Sequence, residues 1–177
     1  MALTKVIGGG IQGVSNSADA TAITISSAEK VTLGQQIAAK APAFRATMSS
    51  AQTFSNTTFT VVNFDQEVFD TNSNFDTSNY RFTPTVAGYY VFNFQIFAGA
   101  GSGRCTAALY KNGSSDTENY HKGDNTSGGI DYEVSAIILC DGDDYIQAVF
   151  RQESGGDISN NTNIALTNFS GHLLMAT

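Results

Sequence analysis

The chain contains the run Gly88-Tyr89-Tyr90-Val91-Phe92-Asn93-Phe94-Gln95-Ile96, in which apolar side chains recur at every second position. Tyr90, Phe92, Phe94 and Ile96 share one face of an extended chain, because successive side chains of a β-strand point to opposite sides. A helix would scatter these four residues around its circumference. The run therefore predicts a β-strand with one fully apolar face.

The same two-residue period appears in several other segments after Phe44. Turn-forming pairs that contain glycine separate them, among them Asn112-Gly113 and Asp141-Gly142. None of these segments shows the 3.6-residue period of an amphipathic helix. Many short strands joined by regular turns predict an all-β sandwich or barrel. The segments are residues 44–48, 59–61, 80–82, 105–110, 133–140, 145–150 and 168–175.

Charge narrows the classes of partner. The 177 residues include 9 Lys and Arg against 16 Asp and Glu, which gives a net charge of −7. A protein that neutralises nucleic-acid phosphates or docks on anionic lipid needs a basic surface, so neither partner is expected. No stretch approaches the roughly 18 apolar residues of a membrane span, so membrane insertion is not expected. No secretory signal is expected at the N-terminus either.

Aromatic residues divide the chain near Pro42. All 12 Phe and 7 Tyr lie between Phe44 and Phe169. The segment before them contains two short alternating runs, over residues 21–25 and 31–33, which are too small to be stable by themselves. We therefore predict a short β-rich N-terminal anchor segment over residues 1–42, which needs an assembly partner, and a head over residues 43–177.

Four motifs of the head resemble the globular head of the complement C1q family. The run from Asn74 to Phe92 contains the family's aromatic and acidic segment and its Gly-x-Tyr-x-Phe pattern, here Gly88, Tyr90 and Phe92. Three further motifs follow in the family's order: Leu109-Tyr110-Lys111-Asn112-Gly113, Gly142-Asp143, and Phe169-Ser170-Gly171-His172-Leu173-Leu174. The resemblance implies a ten-stranded jelly-roll sandwich, shared with tumour necrosis factor, and a homotrimer.

The N-terminal segment resembles a different group of proteins. No collagen-like Gly-x-y repeat precedes the head, whereas residues 20–25 and 31–33 resemble short stretches of bacteriophage tail and fibre proteins. Together the two resemblances imply a virion structural protein that is assembled in the host cytoplasm. Residues 1–42 would bind other virion proteins, and the head would bind a host-surface glycan or protein. The alternative is a C1q-like adhesion or ligand module of a cellular, bacterial protein.

Three predicted strands are apolar on both faces, over residues 89–92, 136–139 and 172–175. No helix is predicted that would cover their outer faces, and a second copy of the chain is the simplest cover. We therefore predict that six side chains of one sheet turn toward the three-fold axis of the homotrimer: Tyr89, Val91, Ile137, Leu139, His172 and Leu174.

The residues that usually carry catalysis form no recognisable set. Neither His121 nor His172 accompanies a nucleophile in a motif such as Gly-x-Ser-x-Gly, and no carboxylate pair can be placed at the spacing of a glycosidase. The jelly-roll topology that the resemblance implies puts Cys105 and Cys140 at opposite poles, beyond the reach of a disulfide. We expect a non-enzymatic protein with two buried free thiols.

Two acidic groups are candidates for binding calcium. Asp124, Asp131 and Glu133 flank Gly128-Gly129, and in a trimer they would recur near the three-fold axis, where some C1q-type heads hold calcium. The run Asp141-Gly142-Asp143-Asp144 lacks the spacing of an EF-hand loop, so we expect it to be a turn. No other metal or cofactor is expected.

The implied strand order brings three loops rich in Gly, Asn and Ser to the pole away from the N-terminal segment. They cover residues 99–104, 121–130 and 152–163. Loops on a rigid scaffold commonly carry recognition. We predict a host-binding tip whose single sites are weak and gain avidity from the trimer. Its residues are Arg104, His121, Lys122, Asp124, Asn125 and Asp157.

Overall fold

A computed structural model describes residues 23–25, 31–33, 41–99, 103–114, 120–125, 129–161, 163 and 166–177. For residues 23–25, 31–33, 120–122, 124, 125 and 130 it describes the backbone alone. These residues form β-strands, and no helix occurs among them, so no helix in these ranges could cross a membrane. The chain divides into two compact units, residues 1–39 and 40–177.

The strands are, in chain order, β1 (Ile23–Ile25), β2 (Val31–Leu33), β3 (Ala43–Thr47), β4 (Thr53–Phe54), β5 (Thr60–Val61), β6 (Gln66–Asp70), β7 (Phe75–Asp76), β8 (Arg81–Phe82), β9 (Gly88–Ala98), β10 (Gly103–Lys111), β11 (Tyr120–Asn125), β12 (Ile130–Cys140), β13 (Ile146–Gln152), β14 (Ile158–Ser159) and β15 (Asn168–Ala176). In the first unit, β1 and β2 pair in antiparallel fashion, with Ile23 opposite Leu33 and Ile25 opposite Val31. The two alternating runs of the N-terminal segment thus pair with each other.

The second unit contains two large antiparallel sheets. The first sheet has the order β12-β9-β15-β3-β6. The second sheet has the order β11-β10-β13-β8-β7, and β5 also pairs with β13. A short pair, β14 with β4, completes the strands of this unit. The predicted all-β antiparallel jelly roll is confirmed.

Stacked phenylalanine rings form the core between the two sheets. Phe44 of β3 lies at their centre, with its ring centroid 4.6 Å from Phe82 and 4.9 Å from both Phe75 and Phe169. Phe92 of β9 contacts the same group, and all five rings are at most 5% exposed. Aromatic pairs contribute about 0.5–1.5 kcal/mol beyond the area they bury, so this cluster accounts for much of the cohesion between the sheets.

The glycine and the tyrosine of the Gly-x-Tyr-x-Phe pattern each have a specific structural reason. A Cβ atom at Gly88 would lie 2.4 Å from the carbonyl oxygen of Met175 on the neighbouring strand β15. The Tyr90 hydroxyl donates a hydrogen bond to the carbonyl oxygen of Val86, 2.7 Å away. Burial, together with the nearby Cys140, raises the pKa of Tyr90 to about 12. Tyr90 is therefore a neutral core residue that ties β9 to the preceding turn.

Five strands differ from the sequence-based expectation: the two-residue strands β4, β7 and β14, of which β14 lies within the expected loop 152–163, and the longer strands β6 and β11. Strand β6 was not expected, because four of its five side chains are exposed and it therefore lacks an alternating apolar pattern. It pairs with β3 as the edge of the first sheet, with a register shift between Arg45 and Ala46. Strand β11 occupies the first half of the expected loop 121–130. Edge strands tolerate polar sequences because one side of them has no partner strand.

Candidate functional site

The six residues predicted at a three-fold axis lie on the outer face of the first sheet, on three adjacent strands. Val91 of β9 is opposite Ile137 of β12 on one side and His172 of β15 on the other. Tyr89 is opposite Leu139 in the next row toward the start of β9. We call this surface the association face; it consists of Tyr89, Val91, Ile137, Leu139, His172, Leu174 and Met175.

The association face leaves large apolar side chains in contact with water. Ile137 is 60% exposed, Leu174 55% and Leu139 49%. Met175, 57% exposed, was not among the predicted residues. A register shift between Leu173 and Met175 breaks the simple alternation of β15, so both Leu174 and Met175 are exposed while Leu173 packs against the core. Sequence alternation alone cannot anticipate such a bulge.

The same sheet becomes polar toward the other end of β9. Glu133 is opposite Gln95, which in turn is opposite Asn168. The Asn168 side-chain amide lies 3.3 Å from the Gln95 amide oxygen and donates a hydrogen bond to it. The polar row of Glu133, Gln95 and Asn168 thus separates the apolar surface near Gly88 from Phe97, a partly exposed residue opposite Asp131 at the other end of β9.

The expected tip lies at the pole of the head where β9 ends and β10 begins, which we call the distal pole. Strand β12 starts there, with Ile130 opposite Ala98, and β13 ends there, with Gln152 opposite Cys105. The amide of Gly99 donates to the carbonyl oxygen of Ser159 at 2.9 Å. The connections after β9, β11 and β13 therefore meet at one pole, as the strand order implied.

The composition of the tip differs from the prediction, because Arg104, His121, Lys122, Asp124 and Asn125 lie on strands and not in loops. Strand β11 pairs with β10 from Gly103 opposite Asn125 to Ala108 opposite Tyr120. His121 and Lys122 therefore lie along the edge of the second sheet and not in a loop. The side chains of His121, Lys122, Asp124 and Asn125 lie outside the described residues, whereas Arg104 and Asp157 are exposed at the distal pole.

Gln152 organises the distal pole, although no sequence motif identified it as a structural residue. Its side chain is fully buried, and its amide nitrogen donates to the carbonyl oxygens of Phe54 and Gly156 at 2.9 and 2.8 Å. Its amide oxygen accepts from the backbone amide and the hydroxyl of Ser154 at 2.7 and 2.6 Å. This one side chain therefore fixes the loop 153–157 to strand β4.

The acidic run after β12 is a turn, as predicted, and Lys111 forms an ion pair with one of its three aspartates, Asp144. The Lys111 ammonium lies 2.6 Å from Asp144 Oδ2 and donates to the carbonyl oxygen of Leu139 at 2.8 Å. The Asn112 side-chain amide donates to Asp144 Oδ1 at 2.7 Å. The Asp144 carboxylate thus has a resident cation, and nothing in this arrangement calls for a metal ion.

The other candidate calcium ligands lie on two different strands. Asp131 and Glu133 of β12 are exposed on the outer face of the first sheet. Tyr132 between them is buried and donates to the carbonyl oxygen of Gly123 on β11, 3.4 Å away. The two carboxylates thus point away from the strand that carries Asp124, whose side chain lies outside the described residues. Within the described part, no group of three potential ligands forms a metal site.

A family model for the C1q domain matches residues 43–174. The chain belongs to the C1q domain family. No curated protein matches the sequence. Among solved structures, the globular domain of zebrafish complement 1qA protein is similar, with 18% identity, a TM-score of 0.53, and coverage of 77% of this chain and 99% of that one.

Two proteins of the tumour necrosis factor type also share the fold. Murine APRIL at pH 5.0 has 12% identity and a TM-score of 0.61, with 76% of this chain and 100% of that chain covered. Eiger TNF from S. frugiperda has 12% identity and a TM-score of 0.58, with 77% and 93% covered. At these identities the likeness shows the fold alone. C1q domains are modules of the ligand-binding or adhesion type and are non-enzymatic.

Both cysteines of the C1q head are buried thiols outside a disulfide, as predicted. Cys105 of β10 is 1% exposed, and Cys140 at the end of β12 is fully buried. Because β10 and β12 belong to different sheets, the two thiols do as well. Burial raises the pKa of Cys140 to about 12. A thiol held neutral in this way is a poor nucleophile, so Cys140 acts as a small core side chain.

Replacing Asp144 with alanine is expected to destabilise the C1q head by about 2 kcal/mol, because Lys111, Asn112 and the Asp141 amide lose their acceptor. Burial raises the pKa of Asp144, but these hydrogen bonds outweigh it and hold the pKa below its ordinary value of 3.8. The stabilisation is therefore present above pH 3.8 and is lost as the pH falls through the lower pKa of the folded state.

Urea unfolding at several pH values measures this difference. The gap between wild type and Asp144→Ala is expected to narrow as the pH falls below 3.8. Asp143→Ala is the matched control, since Asp143 is an exposed carboxylate of the same turn. Equal losses of stability in the two variants would contradict the role of the Lys111 ion pair.

Proposed function

We propose that this protein is a homotrimeric virion appendage of a bacteriophage. Residues 1–42 attach the subunit to other virion proteins, and the C1q head binds a host-surface glycan or protein. The subunit is assembled in the host cytoplasm and acts by binding, with no catalytic step. It takes no nucleic-acid or membrane partner.

The association face is the observation that carries the proposed trimer. Each large apolar side chain that moves from water into an interface contributes about 1.5–3 kcal/mol. Four such side chains of the association face are about half exposed or more in the single chain, and they lie on β12 and β15, the two strands that flank β9. A monomer would leave this surface exposed to water. In a trimer, the association face of each of the three copies would be buried against the other copies.

The proposed place in a virion rests on the N-terminal segment. The short alternating runs of this segment form the hairpin β1–β2, which is too small to be stable without a partner. A segment of this kind suits attachment to a larger assembly. The distal pole, which holds Arg104 and Asp157, lies at the opposite end of the head from Gly88, where the apolar half of the association face is. Its loops therefore stay accessible in the trimer.

Light scattering of the full chain tests the trimer. We expect a mass three times the 18.7 kDa of one chain at micromolar concentration. Ile137→Glu places three carboxylates in the interface and is expected to abolish the trimer. Phe59→Glu is the matched control, because Phe59 is 45% exposed and contacts the second sheet, away from the association face. A wild-type mass of 18.7 kDa, or equal dissociation of both variants, would overturn the trimer.

Mass spectrometry of purified particles tests the virion role. We expect this chain to be present in stoichiometric amounts, and antibody against the head to label one structure on the particle in the electron microscope. Its absence from purified particles would refute the virion role and leave the trimer prediction intact.

The second candidate function is a C1q-like adhesion or ligand module of a cellular protein. The match of residues 43–174 to the C1q domain supports it as well as it supports the first candidate, because the head is the same in both. The two differ in what residues 1–42 bind. Recovery of the protein from a cell surface in the absence of particles would favour this second function.

A further inference from the structure

Phe59 lies on the outer face of the second sheet, at the end of a backbone segment in an unusual conformation. Thr57, two residues earlier, has a φ of 60°. This left-handed conformation is rare for a β-branched residue, and residues held in it are concentrated at functional sites. The Thr57 amide donates to the carbonyl oxygen of Gln152 at 2.7 Å, and Arg151 Nε donates to the carbonyl oxygen of Thr57 at 3.0 Å. Strand β13 thus holds the segment in place.

The ring of Phe59 lies across two strands of the second sheet. Its centroid is 5.8 Å from the ring of Tyr110 on β10 and 5.3 Å from the Arg151 guanidinium on β13. Ala108 and Val149 pair with each other between these two residues and are only 5% and 2% exposed, although they lie outside the core cluster. Phe59 therefore packs over them, and yet 45% of Phe59 itself remains exposed.

A charged pair lies at the edge of this aromatic surface. The Arg151 Nη1 atom donates to the Glu153 carboxylate, and both side chains are partly exposed, at 26% and 33%. The Arg151 guanidinium donates through Nε and Nη1, so the Nη2 hydrogens remain as donors. The carboxylate keeps further acceptor positions. The pair is neutral overall, and it presents both a charged donor and a charged acceptor beside the ring.

We propose that Phe59, Arg151 and Glu153 form a binding site for one neutral sugar residue of a glycan. A pyranose ring has an apolar face of C–H groups, which packs on an exposed aromatic surface, and a rim of hydroxyls. These hydroxyls accept from the guanidinium and donate to the carboxylate, and hydrogen bonds to charged groups are the stronger kind. The neutral ion pair and the chain's net charge of −7 both disfavour an acidic sugar.

The site deepens the proposed function, on which it rests: it assigns a neutral sugar to Phe59, Arg151 and Glu153, of which Glu153 belongs to the loop 153–157 at the distal pole. It lies on the second sheet, whereas the association face lies on the first. The site therefore stays accessible in a trimer, which carries it three times. A single sugar has about a dozen heavy atoms, so each site is expected to have a Kd on the order of 1 mM, with avidity from the trimer.

Saturation-transfer NMR with the full chain and the methyl glycosides of glucose, galactose, mannose and N-acetylglucosamine tests the site. We expect a signal from at least one glycoside and its loss, by tenfold or more, in Phe59→Ala. Phe59→Tyr keeps an aromatic ring and is expected to retain binding. Phe69→Ala is the matched control, because Phe69 is a phenylalanine of similar exposure, 48%, on strand β6 of the other sheet.

Three results would overturn the sugar site: no signal from any of the four glycosides, an unchanged signal in Phe59→Ala, or an equal loss in Phe59→Ala and Phe69→Ala. If thermal melting shows that Phe59→Ala is poorly folded, Phe59→Leu replaces it, since leucine fills the space over Ala108 and Val149 without a ring. Binding of this leucine variant at the wild-type level would then contradict the proposal. The result does not depend on whether the protein is found in virions.

Discussion

Replacing Gly171 with valine is expected to prevent the head from folding, or to lower its stability by roughly 3 kcal/mol or more. Gly171 is buried in β15, opposite Phe92 of β9 on one side and Phe44 of β3 on the other. A Cβ atom there would lie 2.6 Å from Cδ1 of Phe92 and 3.0 Å from Cε1 of Phe44. Both rings belong to the packed core and have no free space to move into.

Thermal unfolding of the full chain measures this effect. For a chain of this length, a loss of 3 kcal/mol corresponds to a fall in Tm of roughly 6–12 °C. Gly171→Ala is expected to show a smaller loss in the same direction. Gly142→Ala is the matched control, because nothing lies within 4 Å of a Cβ atom at this turn position. A Gly171→Val variant that melts at the wild-type temperature would show that the rings yield to the extra methyl groups.

Replacing Gln152 with alanine is expected to cost about 3 kcal/mol, since unpaired buried polar groups cost about 1–3 kcal/mol each. The carbonyl oxygens of Phe54 and Gly156 would lose a donor, and Ser154 would lose its acceptor. The truncated side chain would also leave a cavity, because Gln152 is fully buried. We expect the loop 153–157 to loosen while the two sheets stay paired.

Hydrogen exchange and thermal melting together test the role of Gln152. The amide of Ser154 is expected to exchange much faster in Gln152→Ala, because its bond to the Gln152 side chain is gone. Gln147→Ala is the matched control: Gln147 lies on the same strand, is partly exposed, and makes one hydrogen bond of 3.2 Å to the carbonyl oxygen of Asn79. An unchanged exchange rate at Ser154 would contradict the assignment.

Much of the fold could be predicted from the sequence, because the alternation of side chains within a single strand predicts which of its faces is buried. The alternation of Tyr90, Phe92, Phe94 and Ile96 predicts which face of β9 is buried, and all four side chains are fully buried. The association face could be predicted for the same reason, because the outer face of β9, β12 and β15, opposite the buried one, carries apolar side chains as well. The pleat of one strand decides both facts.

Short polar strands could not be predicted from the alternation of their side chains. β11 reads Tyr-His-Lys-Gly-Asp-Asn, and it forms a strand because β10 is beside it and not because of its own composition. β6 pairs with β3 as an edge strand with mostly exposed side chains. A polar edge strand and a loop have similar sequences, so only the partner strand distinguishes them.

The sequence by itself determined the all-β fold class and the two-faced apolar strands, because each depends on residues that are neighbours in one strand. Only the tertiary structure decided the positions of Gln152, Lys111 and Phe59. Gln152 bonds to Phe54, 98 residues away, and Arg151 bonds to Thr57, 94 residues away. A polar side chain in the sequence does not show which distant carbonyl it will meet, since its partner is selected by the packing of the two sheets.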